Sequence, residues 1–277
     1  MRCPVCEHKA DYYKKLKEVV LYYCDYCKHR FTDINSIRNK ETYSLDYFKK
    51  KHPNWFENQN IELFKYIFNV IKSSKLESPS VLDACCGQGQ LIKYLHQKSS
   101  NFKLTGIDYH KNDAEGNINF VCGDIFKSKF SEKYDVVINI GSIEHMQNVQ
   151  AYIQILSKLC KDGGLIITTT INDSSLVYGV ARMIYNLRMK SPMERLYDKH
   201  HLNHFSKKSL EYLHVKNSLD IIEKPYTKWS VQSVDFPESS ILLKFIYKFF
   251  LKALFICEKL LGKNILQTIT AIKKVSN

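Results

Sequence analysis

The stretch Ser-Val-Leu-Asp-Ala-Cys-Cys-Gly-Gln-Gly at residues 80–89 constrains this chain more than any other. Val81 and Leu82 make an apolar run that fits the end of a buried strand. Asp83 closes the run, and Gly87 and Gly89 make a tight turn. Leu91, Ile92 and Leu95 then recur at helical spacing. Strand, glycine turn and helix in this order form the front of a nucleotide-binding βαβ unit. Glycine lets the backbone approach a ligand and tolerates positive φ.

Downstream residues extend the pattern. Residues 103–108 read as a second strand ending in Asp108, about twenty residues past the turn, where such sheets place a carboxylate for ribose hydroxyls. A third strand, 118–122, precedes Gly123-Asp124-Ile125. A fourth, 134–139, runs into Gly141-Ser-Ile-Glu-His145. A helix over 149–160 meets an Asp162-Gly-Gly164 stop, and 165–170 is a fifth strand. Strands alternating with helices predict an α/β fold with a mostly parallel sheet.

The flanks are less regular. Two helical patches lie between residues 33 and 78, one holding Tyr43, Tyr47 and Phe48. The other runs over 55–71, with Ile61, Phe64, Ile67, Phe68 and Ile71 at three- and four-residue steps and the segment Glu77-Ser78-Pro79 as its end. Residues 173–200 have no room in the alternation and predict a helical cap. Ser206 reads as the N-cap of a helix to residue 217. Two last strands fall at 219–225 and 266–275. Between them, residues 241–261 are strongly apolar but carry Lys244, Lys248, Lys252, Glu258 and Lys259. On a helical wheel these gather in a stripe of roughly 120°. Lysines at mid-bilayer make a poor transmembrane span. The segment packs on the core or lies in a membrane interface with its lysines toward lipid phosphates.

Cysteine usage sets a second constraint. Cys3-Pro-Val-Cys6 and Cys24-Asp-Tyr-Cys27 are separated by seventeen residues. Each pair is a knuckle offering two thiolates, and two knuckles complete a closed, structural tetrahedral zinc site. His8 and His29 stand nearby, but four thiolates need no further ligand. The other five cysteines are scattered, and residues 1–15 are polar without a signal-peptide core. This is the pattern of a reducing cytoplasm with a metal site. A net charge of +13 suits a polyanion or an anionic membrane as partner, or is background lysine usage.

Together these motifs resemble the class I S-adenosylmethionine-dependent methyltransferases, a Rossmann-like fold. Residues 81–89 resemble their first motif, Gly106-Ile-Asp108 the ribose-binding acid and Gly123-Asp124-Ile125 the adenine-contacting turn. Residues 134–137 with Ile143-Glu-His145, then 159–165, resemble the fourth and fifth motifs. The family usually has glycine where this chain has Cys85. Over nearly the whole chain, the ribbon, Tyr43, Tyr47, Phe48 and the late His201-Leu-Asn-His-Phe-Ser206 are similar to bacterial methyltransferases of surface polysaccharides and sugars. The resemblance implies a zinc ribbon at 1–32, a helical linker or cap at 33–78, and a methyltransferase core at 79–277 with insertions near 173–200 and 230–262.

The same resemblance implies roles for single residues. Gly87 and Gly89 admit the methionyl end of S-adenosylmethionine, Asp83 orients its ammonium, and Asp108 accepts from the ribose. Asp124 bonds the adenine amino group, with Ile125 on the ring face. Cys85 and Asn139 complete the cofactor set. For a sugar hydroxyl, His201 is the first candidate base and His145 the second. The expected acceptor is a nucleotide- or lipid-linked sugar, used at the inner face of the cytoplasmic membrane. An RNA methyltransferase is the alternative, against which the dispersed lysines argue. A non-catalytic cofactor-binding scaffold is a further one, against which the intact acids and glycines argue.

Overall fold

The computed structural model describes residues 1–37, 54, 57–113, 116–223, 226–227, 233–234 and 241–275, with backbone alone at 223, 226–227 and 241–244. Tyr43, Tyr47, Phe48 and Trp55 lie outside the described residues.

The central sheet contains β4 (Ser80–Ala84), β5 (Lys103–Asp108), β6 (Asn119–Cys122), β7 (Tyr134–Ile140), β8 (Cys160–Ile171), β10 (Leu219–Glu223), β11 (Tyr226–Thr227) and β12 (Leu266–Lys273). Their order is β10-β12-β8-β7-β4-β5-β6, with β11 beside β12. Neighbours from β6 to β8 are parallel, while β12 runs antiparallel to β8 and β10. The chain steps from β4 to β5 and β6 on one side, then returns to β7 and β8 on the other. That reversal opens a crevice at the C-terminal ends of β4 and β7, where such sheets bind ligands.

Helices α1 (Ile61–Ser73), α2 (Gln90–Lys98) and α3 (Val149–Leu159) flank the sheet. Helix α1 is capped by Asn60, whose side chain accepts from the Leu63 amide at 3.1 Å. It buries Leu63, Phe64, Ile67, Val70 and Ile71. Ile61 is left exposed, and the helix stops at Ser73, before the Glu77-Ser78-Pro79 segment. Strand β8 starts at Cys160 and passes through Asp162-Gly163-Gly164, so those residues are an irregular opening to the strand rather than a stop. A Cβ on Gly164 would meet the Asp135 carbonyl at 2.8 Å, which explains the glycine there.

The cap consists of α4 (Leu176–Asn186) and α5 (Ser191–Leu196). Helix α6 (Lys207–Lys216) begins at Ser206, whose hydroxyl accepts from the Ser209 amide at 3.1 Å. Helix α7 (Ile241–Leu261) packs on α4. Glu258 does not join its solvent-facing lysines. It is 2% exposed and accepts from the amides of Val177 and Ile265 at 3.1 Å each, satisfying a donor at the start of α4.

The N-terminal ribbon has strands β1 (Asp11–Lys15), β2 (Val20–Cys24) and β3 (His29–Thr32). Its sheet is completed by β9 (Asn203–His204), which pairs with β3 through Arg30 and Phe31. Arg30 lies between the rings of Tyr13 and Tyr23, 4.5 Å from each, and donates to the buried carboxylate of Asp173 just past β8. The ribbon is therefore stitched to the core by a strand and a buried ion pair.

Candidate active site and metal centre

The four ribbon cysteines meet. All are buried, and their sulfurs lie within 4.8 Å of one another, with Cys3–Cys27 at 3.6 Å and Cys6–Cys24 at 3.4 Å. A tetrahedron with metal–sulfur bonds of about 2.3 Å has edges of about 3.8 Å, so the set fits a zinc ion. The residue after each knuckle, Glu7 and Lys28, takes a positive φ of 65° and 62°. The hydrogen bond from Cys27 pulls the Cys3 thiol down to about 6, while burial pushes Cys6 up to about 11. Four crowded thiols cannot all ionise without a cation among them. His8 stacks on Tyr26 with centroids 3.7 Å apart, and His29 is buried beside Asn203, so neither is needed as a ligand.

The crevice at the sheet's reversal opens into a cavity of about 1430 Å³. This exceeds the ~300–1,000 Å³ of a typical ligand pocket and leaves room for two reactants. Its polar end is built by the β4 turn. Asp83, Cys85, Cys86, Gly87 and Asp108 all line it. Asp108 is fixed by the Gly87 amide at 2.8 Å and the His110 amide at 3.1 Å. Burial, reinforced by the nearby Asp108 charge, pushes the Asp83 carboxyl up to about 8. A bound cation would draw off that proton, so this end suits an ammonium group.

The glycines divide the work. Gly87, at φ 55°, has nothing within 4 Å of where a Cβ would stand. Its backbone faces open space. Gly89, at φ 70°, would drive a Cβ to 2.7 Å from the Phe120 ring, and it does not line the cavity. Its role is close packing of α2 on the sheet. Cys85 sits at φ 58°, a left-handed conformation that suits the glycine usual in the family. Its sulfur accepts from the Tyr152 hydroxyl at 3.7 Å, and burial pushes its thiol up to about 12.

Three other expected cofactor residues stand off the cavity lining. Asp124 spends a carboxylate oxygen on the Phe126 amide at 2.9 Å, and Ile125 is 4% exposed in the core. Instead Phe126 and Tyr109 present their rings to the cavity. Asn139 is fully buried within the sheet and donates to Thr168 Oγ1 at 3.0 Å. Asn112 was missed by sequence reasoning. It braces the turn by donating to the Gly87 carbonyl at 2.8 Å.

Both candidate bases line the cavity, with ring centroids 4.8 Å apart. His145 ends a 3-10 turn (Ile143–His145) after β7. Its Nδ1 lies 2.8 Å from the His200 carbonyl. A carbonyl only accepts, so Nδ1 carries the proton and Nε2 of the neutral ring is the basic nitrogen. His201 belongs to the strip leading into β9. His204 is buried beside Tyr197 and lies off the cavity. Glu144, within the Ile143-Glu-His145 motif, lines the cavity and accepts from Thr170 Oγ1 at 2.8 Å, and burial pushes its carboxyl up to about 7.

Away from this polar end the cavity becomes apolar, walled by Ala181 and Ile184 of α4, Leu196 of α5, and Ile246, Phe250 and Leu254 of α7.

Sheet order, glycine turn and paired acids define the class I methyltransferase fold. The chain belongs to the methyltransferase domain family, which it matches over residues 45–224. It is 31% identical over 169 residues to a ubiquinone biosynthesis O-methyltransferase of Rickettsia canadensis (strain McKiel), covering 52% of this chain and 68% of that protein. It is 32% identical over 101 residues to a probable (S)-tetrahydroprotoberberine N-methyltransferase 2 of Papaver bracteatum, covering 32% of this chain and 28% of that protein. Among solved structures it resembles the plantazolicin methyltransferase BpumL in complex with a monoazolic desmethylPZN analog and SAH, with a TM-score of 0.52 at 19% identity. That likeness covers 83% of this chain and 88% of the other and is one of fold.

Proposed function

We propose that the chain methylates a hydroxyl of a lipid-linked acceptor from S-adenosylmethionine, with His145 as the base. The observation that carries this is one cavity with two unlike ends. The polar end offers Asp83 for an ammonium group, Asp108 for ribose hydroxyls, the open backbone of Gly87, and the rings of Tyr109 and Phe126 for a base. When bound there, S-adenosylmethionine supplies an already activated methyl group. The residues then have to align the acceptor and take up its proton. Alignment alone is worth on the order of 7–11 kcal/mol in favourable cases.

His145 Nε2 takes the hydroxyl proton, and the His200 carbonyl holds the ring in that tautomer. His201 packs against it from the acceptor side. The apolar arm favours a lipid-linked carrier over a nucleotide-linked one, and the sugar hydroxyl keeps its place as the acceptor group on it. Likeness to the O-methyltransferase of Rickettsia supports an oxygen acceptor, and likeness to the N-methyltransferase of Papaver supports nitrogen as the second reading. Incubation with methyl-tritiated S-adenosylmethionine and a membrane lipid extract tests both. Alkali-stable label in organic-extractable material supports the reading, with mass spectrometry separating O- from N-methyl. Label confined to water-soluble material contradicts it.

A further inference from the structure

The helix α7 carries more apolar surface than its packing uses. Of the twenty-one large exposed hydrophobics among the described residues, eight fall on this one helix. At about 100° per residue, Phe245, Ile256, Phe249 and Leu260 form one stripe roughly 60° wide. They are 69%, 62%, 70% and 80% exposed. Lys248, Lys259 and Lys252 form the stripe immediately beside it, and all three are exposed. The far side of the helix, with Leu254, Phe255 and Glu258, is packed on the protein. Continuing round from the outward stripe, Ile246 and Phe250 are half exposed and line the cavity. One apolar band therefore runs from the outer surface of α7 into the cavity's apolar arm.

We propose that α7 lies in the plane of an anionic lipid bilayer, with Phe245, Phe249, Ile256 and Leu260 in the acyl boundary and Lys248, Lys252 and Lys259 on the phosphates. The arrangement matches that of interfacial helices, in which an apolar face is rimmed by lysines. The long lysine stems cover apolar surface while their ammonium groups reach the headgroups. The charge of the chain, +13, complements an anionic surface. No described helix is long and apolar enough to cross a membrane, so the contact is one of lying on the bilayer. In this position the apolar arm opens toward the acyl region, and a lipid acceptor reaches His145 without crossing water. That consequence rests on the function proposed above, whereas the docking does not.

Flotation of the full chain with vesicles tests the proposal. Wild type should float with phosphatidylcholine vesicles containing phosphatidylglycerol and far less with phosphatidylcholine alone. The F249D/L260D variant should stay at the bottom, and each of K248Q, K252Q and K259Q should weaken binding about fivefold. All variants should bind S-adenosylmethionine as wild type does in calorimetry, because none of these side chains lines the cavity. Absence of flotation, or equal flotation of F249D/L260D, overturns the proposal. So does a wild-type dimer that this variant dissolves without any vesicle binding. Loss of cofactor binding in wild type would instead overturn the methyltransferase site and leave the docking result to stand alone.

Discussion

Thr32 and His201 are joined across the two parts of the molecule: the Thr32 hydroxyl donates to the His201 carbonyl at 3.2 Å. The Thr32 amide donates to the Leu202 carbonyl at 2.9 Å, and the Leu202 amide in turn donates to the Glu144 carbonyl at 2.8 Å. The ribbon thus holds the strip that brings His201 against His145. Removing the metal that Cys3, Cys6, Cys24 and Cys27 would hold should lower turnover up to about 100-fold, the scale of a misplaced reacting group. Cofactor affinity should change little, since β4 and β5 make that end. Turnover assays and calorimetry before and after chelation check this, with Thr32→Val as a milder version.

Asp83 should make cofactor binding depend on pH. Its carboxyl is pushed up to about 8 and must ionise to hold an ammonium group. Affinity should therefore fall by up to about tenfold per unit as pH drops below 8, and level off above it. The same burial costs stability above the ordinary carboxylate range, because the unfolded chain gives up that proton and the fold retains it. Asp83→Asn should raise the melting temperature at pH 7 while weakening S-adenosylmethionine binding. A flat pH profile of affinity would rule out this role.

Cys85 is the one non-glycine residue of the 85–89 turn at positive φ. A left-handed conformation costs a residue with a β-carbon about 1–2 kcal/mol. Cys85→Gly should gain about 1 kcal/mol of stability and retain or tighten cofactor binding. Denaturant unfolding and calorimetry measure the two effects separately. A large loss of affinity would mean that the sulfur beside Tyr152 contributes to the cradle.

The two histidines should separate in kinetics. His145→Ala should lower turnover by about 10²–10⁴-fold, the range for a general base, with cofactor affinity unchanged. His201→Ala should lower it less and raise the acceptor KM. Near-normal turnover of His145→Ala would remove it as the base.

Local features were legible in the sequence. The β4 turn, the Ser206 cap and the two cysteine knuckles depend on neighbours within a few residues, and the structure has each of them. Positions whose role depends on a distant strand were not. Asn139 is next to last in β7, and its side chain is held by Thr168 on the adjacent strand. Glu144 gains its character from burial beside Thr170. Glu258 has the helical spacing of the lysine stripe, yet the start of α4 captures it. Phe126 lines the cavity while its neighbour Ile125 turns into the core, and Asp124 folds back on its own turn to accept from the Phe126 amide. A difference of one residue in a tight turn leaves no trace in periodicity.

Calorimetric titration of S-adenosylmethionine into the wild-type chain and into Asp108→Ala tests the central claim most directly. Asp108 is held ready by two backbone amides, and losing a charged hydrogen-bond acceptor costs about 1.5–3 kcal/mol. Wild type should show single-site binding, weakened about ten- to a hundredfold in the variant. No binding in wild type, or equal binding in both, would contradict the cofactor site described above.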